Sequence, residues 1–169
     1  MATTRIQDEI KQNKPFHSRK EEAAVALMRT ADLLRRMVGA VVDSRDITPQ
    51  QYNVLRILRG AGARGLPTLD IAERMIEQTP GITRLIDRLE AKELVSRERC
   101  PTDRRQVFCR ITKPGLRLLG SLDAPIREAG ERALSVMGER ELASLIRLLD
   151  RTRDGLRAAL NRRSTLEES

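Results

Sequence analysis

Residues 79–111 read TPGITRLIDRLEAKELVSRERCPTDRRQVFCRI, and the fold turns on how they are parsed. Thr79-Pro80 is a helix start, with a capping hydroxyl followed by a proline suited to the first helical position. Ile82, Leu85, Ile86 and Leu89 then recur at helical spacing, which predicts an amphipathic helix to about Lys92. With that stripe turned to a core, Gly81, Thr83, Arg84, Asp87 and Arg88 stand on the opposite face. Leu94–Arg99 and Val107–Ile111 alternate weakly between apolar and polar. The charged, turn-rich CPTDRRQ between them completes a β-hairpin. The stretch is therefore a helix followed by a wing.

Upstream, Thr48-Pro49-Gln50-Gln51 is a second helix start, with glutamine three places after the cap. Tyr52, Val54, Leu55, Ile57 and Leu58 make a short helix ending at Gly60, and Gly60 to Gly65 reads as loop. That loop, GAGARG, has the spacing G-x-G-x-x-G. It follows a helix rather than a strand, so it is a turn and not a nucleotide fingerprint. Thr68 is expected to cap a short helix, Leu69–Met75, and Glu77-Gln78 to form the next turn. Three short helices followed by a hairpin describe a winged helix-turn-helix.

Further out, Ser18 and Glu21 have capping-box spacing. Ala24, Leu27, Ala31, Leu34, Val38 and Val41 follow at alternating spacings of three and four, a heptad seam on a helix over about 18–43. Thr112 caps a helix carrying Leu116, Leu118, Leu119, Leu122 and Ile126, continuing through about Ala133. A last helix, 139–161, carries Leu142, Leu145, Leu149, Leu156 and Leu160. Residues 1–17 lack periodicity and read as an arm; 162–169 read as a frayed tail. The class is mainly α with a small β-wing.

Composition removes several functions. Of 169 residues, 32 are Lys or Arg and 24 Asp or Glu, for a net charge of +8. The longest apolar runs, Ala23–Met28 and Met37–Val42, fall far short of the roughly 20 residues that span a membrane. The polar N-terminus carries no secretory signal, so the expected place is the cytoplasm. Two Cys and one His exclude a disulfide framework and a zinc module. They also leave no nucleophile–base pair, so no catalytic, metal or cofactor residues are named. Three aromatic residues, Phe16, Tyr52 and Phe108, disfavour a stacking platform for single strands.

Position sharpens the charge. Residues 80–120 hold 10 basic and 5 acidic side chains, while 121–169 hold 9 of each. A localised excess is the footprint of a polyanion binder. Thr79 at a helix N-terminus suits a phosphate, and Thr83, Arg84 and Arg88 can reach base edges or phosphates in a major groove. Arg97, Arg99, Arg104, Arg105 and Arg110 occupy or flank the hairpin tip, where arginine suits a narrow minor groove. Asp103 is read as pairing with one of them to hold the tip. Taken alone, the helix face could also be an ordinary solvated surface.

Order and spacing then carry a resemblance. ITPQQYNVLRIL, TLDIAERM, TPGITRLIDRLEAKELVSRER, PTDRRQVFCRIT and KPG resemble the MarR family of bacterial winged-helix regulators over about residues 47–120. Arg105, in Asp103-Arg104-Arg105, matches the family's minor-groove arginine. The resemblance implies a homodimer binding double-stranded DNA, most simply a ligand-responsive repressor. It makes 18–46 and 121–161 dimerisation helices, supplying a partner for Leu27, Leu34, Val38, Leu142, Leu145, Leu149 and Leu156. A two-fold dimer implies a pseudo-palindromic operator with half-sites about 10–10.5 bp apart. It further implies a small anionic or phenolic effector in a cleft, for which Arg29, Arg35, Arg36 and Arg56 are available cations. The competing reading is a winged-helix protein-interaction module, which would be expected to shed these basic residues. Two departures stand out. Glu93 occupies the place where the family often has glycine. No cysteine lies at the start of the first long helix, where oxidant sensors carry one, which disfavours that branch; Cys100, at the wing base beside Arg99, reads as a plain thiol ahead of a redox switch, and Cys109 as a small core residue.

Overall fold

Thr48 closes its helix as its sequence demands. In the computed structural model, which describes residues 5–77, 81–99 and 107–167 (side chains through 162), Thr48 Oγ1 accepts from the Gln51 N–H at 3.2 Å. Gln51 Oε1 accepts from the Thr48 N–H at 3.0 Å. Two otherwise orphaned donors are thus satisfied reciprocally. The chain runs α1 (Ile6–Glu9), α2 (Arg19–Val42), α3 (Pro49–Ala61), β1 (Leu66–Pro67), α4 (Thr68–Arg74), α5 (Ile82–Ala91), β2 (Val95–Arg99), β3 (Val107–Ile111), α6 (Lys113–Leu134) and α7 (Glu139–Glu167). Short 3₁₀ turns follow α2 and α3. It divides into two compact units, Met1–Ala129 and Gly130–Ser169. Among the described residues no helix is long and apolar enough to cross a membrane.

The first unit is built around α3, whose Val54, Leu55 and Leu58 are fully buried. Ile71 of α4, Ile86 and Leu89 of α5, and Leu119 and Leu122 of α6 converge on the same core. At about 1.5–3 kcal/mol per fully buried aliphatic side chain, this cluster dominates the fold's stability. α2 lies against it through Val38, Val41 and Val42. Ala24, Ala31 and Leu34 of its heptad seam stay exposed, so a single chain covers only part of that seam.

Several local expectations are corrected. The 1–17 arm contains α1, tied to α2 by an Arg29 Nε–Glu9 Oε1 ion pair of 2.6 Å. Ser18 does cap α2, accepting from the Glu21 N–H, but the Glu21 carboxylate accepts from the His17 N–H instead of closing the box. The hairpin is part of a three-stranded sheet in the order β1-β3-β2. The two-residue β1 pairs Leu66 with Cys109 and Pro67 with Phe108. Too short to alternate and containing proline, β1 had no strand signal. Pro67, not Thr68, is the N-cap of α4, and Thr68 Oγ1 lies 3.8 Å from the Cys109 sulfur. The described α5 begins at Ile82, with Gly81 as its N-cap at φ +90°. Thr79, Cys100, Asp103, Arg104 and Arg105 lie outside the described residues.

Glu93 resolves the question its position raised. It adopts the left-handed conformation, φ +57°. Its N–H reaches Glu90 O at 2.8 Å, and the Leu94 N–H reaches Leu89 O at 3.0 Å. This is a Schellman ending, with Leu94 and Leu89 buried beside it. Thr112 locks the junction, donating to Glu93 O at 2.7 Å and accepting from the Gly115 N–H at 3.1 Å to start α6. α6 continues past Pro125 to Leu134.

In the second unit the described residues include no buried side chain. Leu142, Leu145 and Leu149 of α7 are half-buried, and Leu156 is exposed. The helix continues to Glu167, so residues 162–167 extend it where a frayed tail was expected.

Two positive-φ positions should respond oppositely to substitution. At Gly65 (φ +68°) a Cβ would sit 2.5 Å from Cys109 O, so Gly65→Ala should lower the unfolding free energy by about 1–3 kcal/mol. At Glu93 the strain belongs to the native residue, so Glu93→Gly should raise stability by up to about 1 kcal/mol. Urea denaturation of the three proteins measures both.

Candidate nucleic-acid interface and the adjoining cavity

The stripe of α5 decides its outward face. Ile86 and Leu89 are fully buried, and Ile82 and Leu85 pack against the core. A period of 3.6 then forces Gly81, Thr83, Arg84, Asp87 and Arg88 outward, and all five are exposed. Arg84 and Arg88 are four residues apart on one face, presenting two guanidinium forks one turn apart.

The wing is coupled to this helix by Arg97 of β2. Its Nη1 lies 2.6 Å from Asp87 Oδ1 and 3.2 Å from Glu90 Oε2. Its Nη2 donates to Thr83 O at 3.2 Å. Burial works against the charged guanidinium, but the Asp87 hydrogen bond and the charges of Asp87 and Glu90 outweigh it, and the pKa is raised. Asp87 and Arg97, both placed by sequence among residues facing a nucleic acid, therefore engage each other. A residue on the helix and one two strand positions past Val95 carry no mutual signal in sequence. Arg110 of β3 pairs with Glu98 and donates to Ala63 O at 2.9 Å, so it braces the sheet.

Behind the helix-turn-helix, α2, α3, the segment after α4 and Ile126 of α6 line a half-open cavity of about 500 Å³, within the size range of small-molecule sites. Its walls are largely apolar, including Leu34, Val38, Tyr52 and Ile76. Of the four arginines suggested as cleft cations, Arg35 and Arg56 line it. Arg29 is paired with Glu9 and Asp32, and Arg36 with Asp32. The Arg56 guanidinium stands 5.8 Å from the Tyr52 ring centroid, a cation–π distance. Arg35 Nε donates to Glu77 Oε1 at 2.5 Å, and Gln50 Nε2 donates to Glu77 Oε2 at 3.3 Å. Asn53 Oδ1 accepts from the Ile76 N–H at 2.9 Å. Sequence reasoning missed Gln50, Asn53 and Glu77. They sit in a helix start, a short helix and a turn, and only packing brings them to one cavity.

Comparisons with known proteins identify the family and the fold. The MarR family model matches residues 47–107. The HTH-type transcriptional regulator MhqR of Bacillus subtilis is 31% identical over 127 residues, spanning 75% of this chain and 86% of that protein. The crystal structure of a MarR transcription factor from Planctomyces limnophilus superposes with a TM-score of 0.62 at 41% identity, covering 80% of this chain and 98% of that one. The crystal structure of NadR in complex with 4-hydroxyphenylacetate gives a TM-score of 0.66 at 25% identity, covering 82% and 97%.

Two measurements check the site's geometry. A double-mutant cycle of Asp87→Asn and Arg97→Gln should show a coupling of about 0.5–1 kcal/mol in stability, the upper range for partly exposed pairs; additive effects would contradict the contact. Burial raises the Tyr52 phenol above its ordinary value, with Arg56 pulling the other way. Tyr52 is the one tyrosine and there is no tryptophan, so tyrosinate absorbance should titrate later than the usual value near 10. Because the folded pKa is the higher, this group's contribution to stability is complete below the unfolded pKa. It is lost as pH rises through the folded one.

Proposed function

The chain belongs to the MarR family, and from that premise we infer that it is a DNA-binding transcriptional regulator acting as a ligand-responsive homodimer, most simply a repressor. The observation that carries the reading is the exposed α5 face with Thr83, Arg84 and Arg88, braced to the wing through Arg97. α5 enters the major groove with Arg84 and Arg88 on bases or phosphates, and Gly81 and Thr79 bring its N-terminus to the backbone. Arg104 and Arg105, steadied by Asp103, reach the minor groove. Asp87 and Arg97 act indirectly, by holding helix and wing at one angle.

The half-covered seam of α2 and the leucines of α7 support a two-fold partner: apolar rows on long helices are stabilised by packing, not by helix propensity. Such a dimer presents two recognition helices to a pseudo-palindrome. The cavity supports an effector with an apolar body and an anionic group, the chemistry of the 4-hydroxyphenylacetate bound by NadR. A regulator of this kind works in the cytoplasm, with the DNA.

Gel shifts on duplex DNA from upstream of the protein's own gene, across a salt series, test the reading. Wild-type affinity should fall steeply with salt. Arg84→Ala should cost about 1–3 kcal/mol and relax sequence preference if it reads a base. Arg97→Gln should weaken binding while leaving the salt slope unchanged, because it removes a brace and no phosphate contact. Salt-independent binding, or Arg84→Ala and Arg105→Ala variants that bind like wild type, would sink the assignment.

A further inference from the structure

The segment that leads from α4 toward α5 is fastened to the cavity wall at three consecutive residues. Met75 is buried in the core, the Ile76 N–H donates to Asn53, and the Glu77 carboxylate is held by Arg35 and Gln50. The first two fastenings are apolar packing and a neutral hydrogen bond. The third is electrostatic, and its cation, Arg35, belongs to α2 and lines the cavity. Ile76 lines the same cavity with 80% of its surface exposed, an unfavourable state for isoleucine that an apolar ligand body would relieve.

We propose that the Arg35–Glu77 ion pair is an internal latch standing where a ligand carboxylate would bind, so that an aromatic carboxylate entering the cavity takes Arg35 from Glu77 and loosens the segment leading into α5. This rests on the effector reading above and specifies how that site is regulated. The geometry suits an exchange of partners. Both side chains are partly exposed, 46% for Arg35 and 38% for Glu77, and ion pairs so exposed contribute little by themselves. Arg35 also has Asp32 at 3.5 Å, so it keeps one acidic neighbour while the other is replaced. Gln50, next to Pro49 in the first turn of α3, can donate to an incoming oxygen as it now donates to Glu77. A ligand that binds the unlatched state better shifts the population toward it, by no more than that difference in affinity. A neutral analogue lacks the charge that competes with Glu77, so it fills the cavity without releasing the segment.

The test uses the full chain with 4-hydroxyphenylacetate and its uncharged amide as probes, in wild type and in the Glu77→Gln and Arg35→Gln variants. Calorimetry reads binding, and hydrogen exchange reads the peptide carrying Met75–Glu77. Glu77→Gln removes the internal competitor, so the acid should bind tighter, by up to about fivefold, with the amide unaffected. Arg35→Gln should abolish the preference for acid over amide. In wild type the acid, but not the amide, should speed exchange of the Met75–Glu77 peptide, and Glu77→Gln should show that faster exchange without ligand. If the acid binds wild type and Glu77→Gln equally, or binds without changing exchange, the latch is wrong and the effector site stands. If neither probe binds either protein, the effector reading fails and the latch with it.

Discussion

The candidate nucleic-acid surface of the first unit depends on the burial of one side of a ten-residue helix. Ile86 and Leu89 are fully enclosed between α3, α4 and the sheet, and Ile82 and Leu85 flank them. A helix pinned along such a stripe has no rotational freedom. The direction of Thr83, Arg84 and Arg88 is therefore set by apolar packing on the far side of the helix, not by any interaction of their own. Moving the stripe by one residue would rotate the whole face by about 100°. Core packing and nucleic-acid recognition are in this sense two sides of the same periodicity.

The wing inherits its position from the same helix. α5 ends in a Schellman turn at Glu93, Thr112 ties that turn to the end of β3 at the base of the hairpin, and Arg97 returns from β2 to Asp87, Glu90 and the Thr83 carbonyl. These two attachments, one at the C-terminal turn of α5 and one along its length, hold β2 against the helix. A charged residue in a left-handed position costs about 1 kcal/mol relative to glycine. The surrounding hydrogen bonds and the burial of Leu94 offset it, so the left-handed turn forms with glutamate in place. What looks in sequence like a departure from a family pattern is a local backbone strain at one residue.

The cavity joins the parts of the fold that sequence treats separately. Its walls come from the long helix, from α3 and from the segment after α4. Its polar lining includes Arg35, Gln50 and Glu77, each on a different one of these elements. A molecule bound there touches the helix carrying the heptad seam and the approach to the recognition helix at once. The proposed latch uses that proximity: it needs only one shared contact with two alternative partners.

Sequence alone determined the features that are local in chain or periodic. The Thr48 capping box, the extent of β3, the end of β2, the outward face of α5 and the crowding of positive charge into residues 80–120 were all legible, because each depends on neighbours within a few residues. β1 was not legible, since a two-residue strand has no period and exists only because Cys109 and Phe108 offer it hydrogen bonds. The mutual pairing of Asp87 and Arg97 was not legible either; sequence put both on the nucleic-acid side by type, and the hairpin's return brought them together. Nor were Gln50, Asn53 and Glu77 recognisable as one site. Periodicity reports which side of an element is buried, but not which elements meet there. Tertiary packing alone decided the partners of the charged groups, and with them which arginines brace the fold and which stand on its surface.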